Sequence, residues 1–392
     1  MKISKQNPRH WSYLVKSGIY ILISIPIRLI ARSSQQKRVV LYGHKYNGNL
    51  KAFGDYCLEH SNYQMYYATI DPNYYQKLQS NDEKITPLSL LKFRDILTIA
   101  RSDAIIGDRG THTLVLYLWL TNISFIDVWH GIQIFKKFSA KDMSMLRKYK
   151  QIWVSSPAIK DIYVNDYGLS DSQVKITGYG RVDRLVNKDY SIKDIREKYG
   201  IEDKFKKIIL LAPTWQQDDS SRQIIPFDEA PTTFLSRLNN LAAANDALVI
   251  FRVHMNTNSQ NRVQLQSMDN ICLMPSEDYP QTEEFLAITD LLIADWSSIV
   301  FDYLPLQRPV VFIDTKAPFK NGLTFDETYR YSDIAKNLDE LVDASDKYLK
   351  NPEEFLIRHR KDIERVEEVA YGNTLDGKAR DRYLDNLKNL IH

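Results

Sequence analysis

Cysteine is almost missing from this chain of 392 residues, and the two present, Cys57 and Cys272, stand far apart with no metal-ligand spacing. That usage fits a reducing compartment and leaves no structural zinc or other metal site to expect. Strong charge of one sign is lacking too: a formal net charge of +3 gives no argument for nucleic acid as a partner. Neither a Walker-type loop nor a Gly-x-Gly-x-x-Gly after the first strand is found, so P-loop and nicotinamide chemistry lose their main warrant. A Gly-x-Ser-x-Gly nucleophile elbow is absent, as are short-period repeats and low-complexity tracts. With 44% hydrophobic and 26% charged residues, the composition is that of an ordinary globular protein. The length exceeds what one hydrophobic core usually supports, and two domains are expected.

A long hydrophobic run is missing as well. Residues 18–27, GIYILISIPI, are apolar, but Pro26 and Arg28 cut the run short of the roughly 20 residues that a spanning helix needs. No small-residue cleavage site follows, which argues against a secretory signal. Basic residues stand on both flanks, Lys2, Lys5, Arg9 and Lys16 before the run and Arg28, Arg32, Lys37 and Arg38 after it, with Trp11, Tyr13 and Tyr20 among them. Residues 1–38 therefore read as a basic, apolar segment whose amphipathic helix lies on an anionic membrane surface. A first helix packed on the core is the alternative.

Beyond it, β-like runs alternate with helical ones. Strands are expected at 39–43, 64–69, 104–107, 123–128, 151–156 and 174–178, then at 207–212, 247–251, 271–274, 291–295 and 309–313. This alternation predicts an α/β protein of two parallel, doubly wound sheets with a cleft between them. The charged stretch 187–206 reads as the linker region. It divides an N-terminal domain, 39–186, from a C-terminal one, 187–365, and residues 366–392 form a closing helix expected to pack back across both.

The chemistry gathers where strands end. Trp129-His130-Gly131 follows an apolar strand and precedes Lys136 and Lys137, which puts a proton acceptor and positive charge at a strand's carboxyl end, the place where open α/β sheets hold ligands. His254, two residues after Arg252, repeats the arrangement in the second half. Ala212-Pro213-Thr214-Trp215 closes a strand with a turn. In Asp295-Trp296-Ser297-Ser298, small hydroxyl residues start a helix, where they cap it and leave amides and hydroxyls to hold phosphate. Two histidines, Arg252, Lys136 and the serine pair suit a nucleotide diphosphate and an acceptor hydroxyl.

Taken together and in order, these segments resemble the CDP-glycerol glycerophosphotransferases of teichoic acid synthesis. Trp129-His130-Gly131, Gly178-Tyr179-Gly180-Arg181-Val182-Asp183, Ala212-Pro213-Thr214-Trp215, Arg252-Val253-His254 and Asp295-Trp296-Ser297-Ser298-Ile299-Val300-Phe301-Asp302 stand where that family carries its marks, and the tail from Asp376 to Arg382 looks like its closing helix. The resemblance implies a GT-B-like fold of two Rossmann-like domains, the nucleotide against the C-terminal one and the acceptor entering from the N-terminal side. It implies His130 as the base that deprotonates the acceptor, and His254 with Arg252 on the diphosphate. Ser297 and Ser298 would hold phosphate oxygens, Asp302 would orient the serines or the glycerol, and Thr214 would line the nucleotide side. Gly131, Lys136, Arg181 and Asp295 support the site. No cofactor is implied beyond the donor, CDP-glycerol or a related CDP-polyol.

The chain departs from the family pattern at Ile132-Gln133, where Thr-Pro is usual, at Gly180 and at Met255, where proline is usual, and in part over residues 320–329. These departures bear on the donor's polyol. The chain's length resembles the primase type, which adds one glycerol phosphate to a polyprenyl-diphosphate-linked saccharide at the cytoplasmic face of the plasma membrane. A glycerol- or ribitol-phosphate polymerase, a capsule glycerol-phosphate transferase, a nucleotide-sugar glycosyltransferase or epimerase of the same fold, and a membrane-surface scaffold with a degenerate site are the rivals. Homo-oligomerisation stays open.

Overall fold

The computed structural model describes residues 7–30, 36–80, 83–108, 110–141, 143–214, 225–252 and 268–391. It divides into two units. The first takes residues up to His130, then Ala140–Asp183 and Thr374 onward; the second takes Gly131–Ser139 and Arg184–Asn373.

The first unit carries a seven-stranded sheet built from β1 (Arg38–Tyr42), β2 (Gln64–Thr69), β3 (Thr86–Ser89), β4 (Ala104–Gly107), β5 (Ser124–Asp127), β6 (Gln151–Val154) and β7 (Val174–Ile176). Its order is β3-β2-β1-β4-β5-β6-β7, and every pairing is parallel. The second unit has β8 (Lys207–Ala212), β9 (Ala247–Phe251), β10 (Ile271–Leu273), β11 (Leu291–Ala294), β12 (Val310–Ile313) and β13 (Ile334–Ala335) in the order β10-β9-β8-β11-β12-β13, again all parallel. Both are Rossmann-type orders, which reverse direction beside the first strand of each sheet. The reversal opens a crevice at the carboxyl ends of β1 and β4 in one unit and of β8 and β11 in the other.

The strands read clearly because helices cover both sheet faces, so β4, β6, β9, β11 and β12 are buried at every residue and appear as unbroken apolar runs. The eleven expected strands are all present. β3 and β13 were not foreseen: both are edge strands, one holding Pro87 and little apolar character, the other two residues long.

Residues 366–392, expected as one closing helix, are divided. The helix Pro352–Ala370 ends in the second unit, a short turn Gly372–Thr374 follows, and the helix Ala379–Ile391 belongs to the first. There Tyr383, Leu384, Leu387 and Ile391 join the core with Leu41, Phe53 and Trp153. Tyr383 stacks on Trp153 at 4.7 Å between centroids and meets Phe53 edge-on at 5.5 Å.

This docking explains the Gly178-Tyr179-Gly180-Arg181-Val182-Asp183 segment. A Cβ on Gly178, whose φ is +77°, would lie 3.1 Å from the Ala379 Cβ, and one on Gly180 would lie 3.0 Å from the Arg380 side chain. The Tyr383 hydroxyl donates to the Gly178 carbonyl (3.1 Å) and receives the Gly180 N–H (3.2 Å). The Asp183 carboxylate accepts the backbone N–H groups of Ala379 (3.1 Å) and Arg380 (2.9 Å) and the Arg380 Nε (3.1 Å). The aspartate thus caps the closing helix from outside it.

The N-terminal helix, Pro8–Ile30, packs against the helices Phe93–Ala100 and Val115–Leu120 of the first unit. It does so with its small polar face: Ser17 bonds Thr113 (2.8 Å), Ser24 bonds the Tyr117 hydroxyl (2.5 Å), and Ser17, Ile21 and Ser24 are fully buried. Trp11, Val15, Ile19, Leu22, Ile23 and Ile30 stay exposed, beside exposed Trp119 and Leu120. One face of the helix is thus packed on the first unit, as the alternative reading has it. Among the described residues, no helix is long and apolar enough to cross a membrane.

Asp183→Ala is expected to lower unfolding stability by about 3 kcal/mol, because it strips a buried charge partner from Arg380 and two orphan helix donors. Urea titration of the full chain measures it.

Candidate functional site

His130 stands at the carboxyl side of β5, in the first unit. Its Nδ1 lies 3.0 Å from the Asp108 carbonyl, just past β4. A carbonyl only accepts, so Nδ1 carries a proton, on a residue exposed to solvent; in the neutral ring the lone pair is then on Nε2. The turn that presents it is tight: Trp129 has φ +39°, and its N–H donates to Asp127 Oδ1 (2.9 Å). The Trp129 and His130 rings are 4.7 Å apart.

Asn49, on the helix Gly48–His60, holds this turn from across the sheet. Its Nδ2 donates to the carbonyls of Val128 (3.0 Å) and Trp129 (2.9 Å), and its Oδ1 accepts the Arg181 N–H (3.2 Å). Arg181 is buried, with its guanidinium over the Tyr179 ring. The structure thus places Arg181 behind the His130 turn, in the first unit. Around the same strand ends, Tyr42 bonds His112 Nδ1 (2.8 Å), and the His44 and His112 rings lie 6.2 Å apart.

Asp127 is 1% exposed, and burial pushes its carboxyl up to about 8; the Trp129 N–H opposes this and nearby Asp108 adds to it.

In the second unit, Asp295 follows β11 and reaches across the sheet's reversal point. Its Oδ1 accepts the Thr214 N–H (2.8 Å), the Thr214 hydroxyl (2.5 Å) and the Trp296 N–H (2.6 Å). Asp295 and Thr214 are both buried. The carboxylate ties the ends of β8 and β11 together and fixes where Trp296-Ser297-Ser298 begins. Ser298 makes no side-chain cap bond, and Ser297 Oγ reaches the Ile299 N–H only at 3.5 Å. The expected capping is therefore not how the serine hydroxyls are used. The helix they start, Ile299–Tyr303, is five residues long and runs into a single turn, Leu304–Leu306, so its dipole offers less to a phosphate than was expected. Asp302 is buried on it.

Gly131 belongs with these residues. A Cβ there would sit 2.9 Å from the Ser298 hydroxyl, so the backbone passes against Ser298 and only glycine fits without displacing it. After Gly131 the chain forms a ribbon with residues 322–325, through the Lys137 N–H to Gly322, Thr324 N–H to Phe135 and Phe325 N–H to Ile134 bonds, with Lys136 opposite Leu323. Phe135 packs its ring on Trp296 and Phe301.

Arg252 is placed differently from expectation. It is 6% exposed, donates from Nη2 to the Tyr279 carbonyl (2.7 Å) and the Thr282 hydroxyl (3.0 Å), and lies over Phe285. Burial brings its guanidinium down to about 10, still charged at neutral pH. In this structure it anchors the loop after β10. His254 and Trp215 lie outside the described residues.

Sequence reasoning missed Asn49 and Asp127. Asn49 is 79 residues from the carbonyl it holds, and its own neighbourhood reads as a turn. Asp127 gave a usable signal: a lone carboxylate inside an apolar strand.

Two units of Rossmann order, each with polar groups collected at its reversal point, make this a two-unit parallel α/β protein of the doubly wound class. The chain belongs to the CDP-glycerol:poly(glycerophosphate) glycerophosphotransferase family, whose pattern matches residues 26–389. A ribitol-phosphate polymerase of teichoic acid from Staphylococcus aureus, TarL, is 26% identical over 274 residues, covering 65% of this chain and 47% of that protein. The teichoic acid glycerol-phosphate transferase of the same species is 25% identical over 295 residues, covering 69% of this chain and 71% of that one. The chain spans about half the length of the first of these curated relatives. Among solved structures, the wall teichoic acid polymerase TagF superposes with a TM-score of 0.73 at 18% identity, over 96% of this chain and 94% of that one, which shows the shared fold.

The Asp127 carboxyl yields a pH prediction. With its folded value near 8 and an unfolded one near 3.9, the folded state holds a proton that the unfolded state has lost, so stability falls as pH rises across that window. Asp127→Asn keeps an acceptor for Trp129 and removes the titration. Its melting temperature is expected to vary less between pH 5 and 8 than that of the wild type, on the order of a few degrees, read by scanning calorimetry.

Proposed function

We propose that the chain transfers glycerol phosphate from CDP-glycerol to a hydroxyl of a polyprenyl-diphosphate-linked saccharide, with release of CMP, in the primase manner. The observation that carries this reading is the His130 ring at the carboxyl side of β5, anchored through Nδ1 on the Asp108 carbonyl. Nε2 takes the acceptor's hydroxyl proton as its oxygen forms a bond to the glycerol-bearing phosphorus, and the bond from that phosphorus to the CMP oxygen breaks. Catalysis then needs placement and charge neutralisation more than covalent chemistry. The second unit holds the donor: Thr214, fixed by Asp295, lines the nucleotide, the Ser297 and Ser298 hydroxyls take phosphate oxygens, and His254 with Lys136 supplies positive charge. Ribitol is the second reading of the polyol, favoured by the match to ribitol-phosphate polymerases.

The N-terminal helix supports a membrane-surface location for the acceptor side. Polar serines face inward and an apolar stripe faces out, the reverse of a helix built only for the core. That stripe, continued by Trp119 and Leu120 and flanked by Lys16 and Arg28, suits the cytoplasmic leaflet on which a lipid-linked acceptor is carried.

Two measurements check these readings. CMP release from CDP-glycerol and CDP-ribitol, with a lipid-linked disaccharide as acceptor, is expected to require the acceptor and to fall by about 100-fold or more in His130→Ala; no release with either donor overturns the assignment. Ile19→Glu with Ile23→Glu is expected to abolish co-sedimentation with phosphatidylglycerol vesicles while donor binding is retained; unchanged sedimentation removes the helix from the membrane.

A further inference from the structure

Among the described residues of the second unit, four side chains keep a buried polar atom without a hydrogen-bond partner; one, Ser345, lies on the helix Leu338–Lys350, and the other three belong to the segments packed on Trp296 and Ser298. Gln133 is 2% exposed, and both its Nε2 and its Oε1 lack a partner. The Thr324 hydroxyl, itself buried, lacks one as well. Arg330 is 7% exposed, its guanidinium lies 4.2 Å from the Trp296 ring, its Nη atoms reach Asp314 and Glu327 only at 3.4 Å, and its Nε has no partner.

An amide with neither end satisfied is costly to bury, and so is a guanidinium N–H, so such groups persist where something else completes them. Their placement is consistent. Gln133 is two residues beyond Gly131, which lies against the Ser298 hydroxyl; Thr324 donates its N–H to the Phe135 carbonyl of the same ribbon; Arg330 covers the ring next to Ser297.

The chemistry of the set narrows the occupant. A primary amide presents a donor and an acceptor side by side, which matches two adjacent hydroxyls, each both donor and acceptor. A threonine hydroxyl adds to the same pattern, and a guanidinium N–H is the usual partner of a phosphate oxygen. We propose that Gln133, Thr324 and Arg330 form the subsite for the polyol phosphate of the donor, with the Gln133 amide on a vicinal diol. This rests on the glycerophosphotransfer reading and extends it to the residues that select the polyol. Gln133 stands where the family pattern has proline, which has no side-chain polar group, so the contact belongs to this chain.

The test compares binding of CDP, CDP-glycerol and CDP-ribitol to the full chain by calorimetry, for the wild type, Gln133→Met and Thr324→Val, with thermal unfolding of each. Both substitutions keep the side chain's size and remove the hydrogen-bonding groups, and Thr324→Val keeps the test open should Gln133→Met not fold. The wild type is expected to bind one CDP-polyol more tightly than CDP, and each substitution to shrink that advantage by about three- to tenfold with the affinity for CDP itself unchanged. If the wild type binds CDP but gains nothing from the polyol, or the variants keep the full advantage, the subsite is overturned and the orphan groups hold trapped water. If the wild type binds no cytidine diphosphate compound at all, the glycerophosphotransfer reading falls, and the subsite with it.

Discussion

One side-chain amide holds the His130 turn of the first unit in place. Asn49 grips the carbonyls of Val128 and Trp129 with its nitrogen and the Arg181 N–H with its oxygen. Each bond is ordinary, worth about 1 kcal/mol net, but a buried carbonyl left without it would lose more. Through that amide the His130 turn is coupled to the Gly178–Asp183 segment, and through Asp183 and Tyr383 to the closing helix. The turn at residue 130 is thus positioned by groups near residues 49, 181 and 380. The second unit has a parallel device in Asp295, whose carboxylate joins two strand ends and sets the start of the serine pair.

How much of this was legible follows from where each constraint lies. Strands buried on both faces announce themselves as apolar runs, which is why eleven were readable, and edge strands such as Thr86–Ser89 do not. The place of His130 was readable because it follows an apolar run, but the carbonyl that fixes its ring, that of Asp108, stands past another strand and twenty-two residues away. Ser297 and Ser298 were readable by position but not by use: the backbone of Gly131, distant in sequence, is what presses on Ser298, and no local pattern shows that. Arg252 looked like a diphosphate ligand because it stands two residues before a histidine. Its nitrogen atoms meet carbonyl and hydroxyl groups of a loop almost thirty residues away, a contact only the folded chain can show.

The same contrast holds at the N-terminus. Sequence gave basic flanks around an apolar run and left two readings, surface helix or core helix. In the fold, serines bond inward to Thr113 and Tyr117, and Trp11, Val15, Ile19, Leu22 and Ile23 stay exposed. Small serines let the helix lie close to its neighbours, with Ile21 buried between them and Tyr20 against Phe93.

The closing helix has a consequence for how the molecule is made. The chain enters the second unit after Asp183 and returns to the first only at Thr374, so about half of the protein is synthesised between the Gly178–Asp183 segment and the helix that covers it. At the usual 5–20 residues per second that interval is about 10 to 40 s. Throughout it Phe53 and Trp153 lack the ring of Tyr383, and the first sheet stands with part of its core open. The first unit to emerge from the ribosome is therefore the last to be completed.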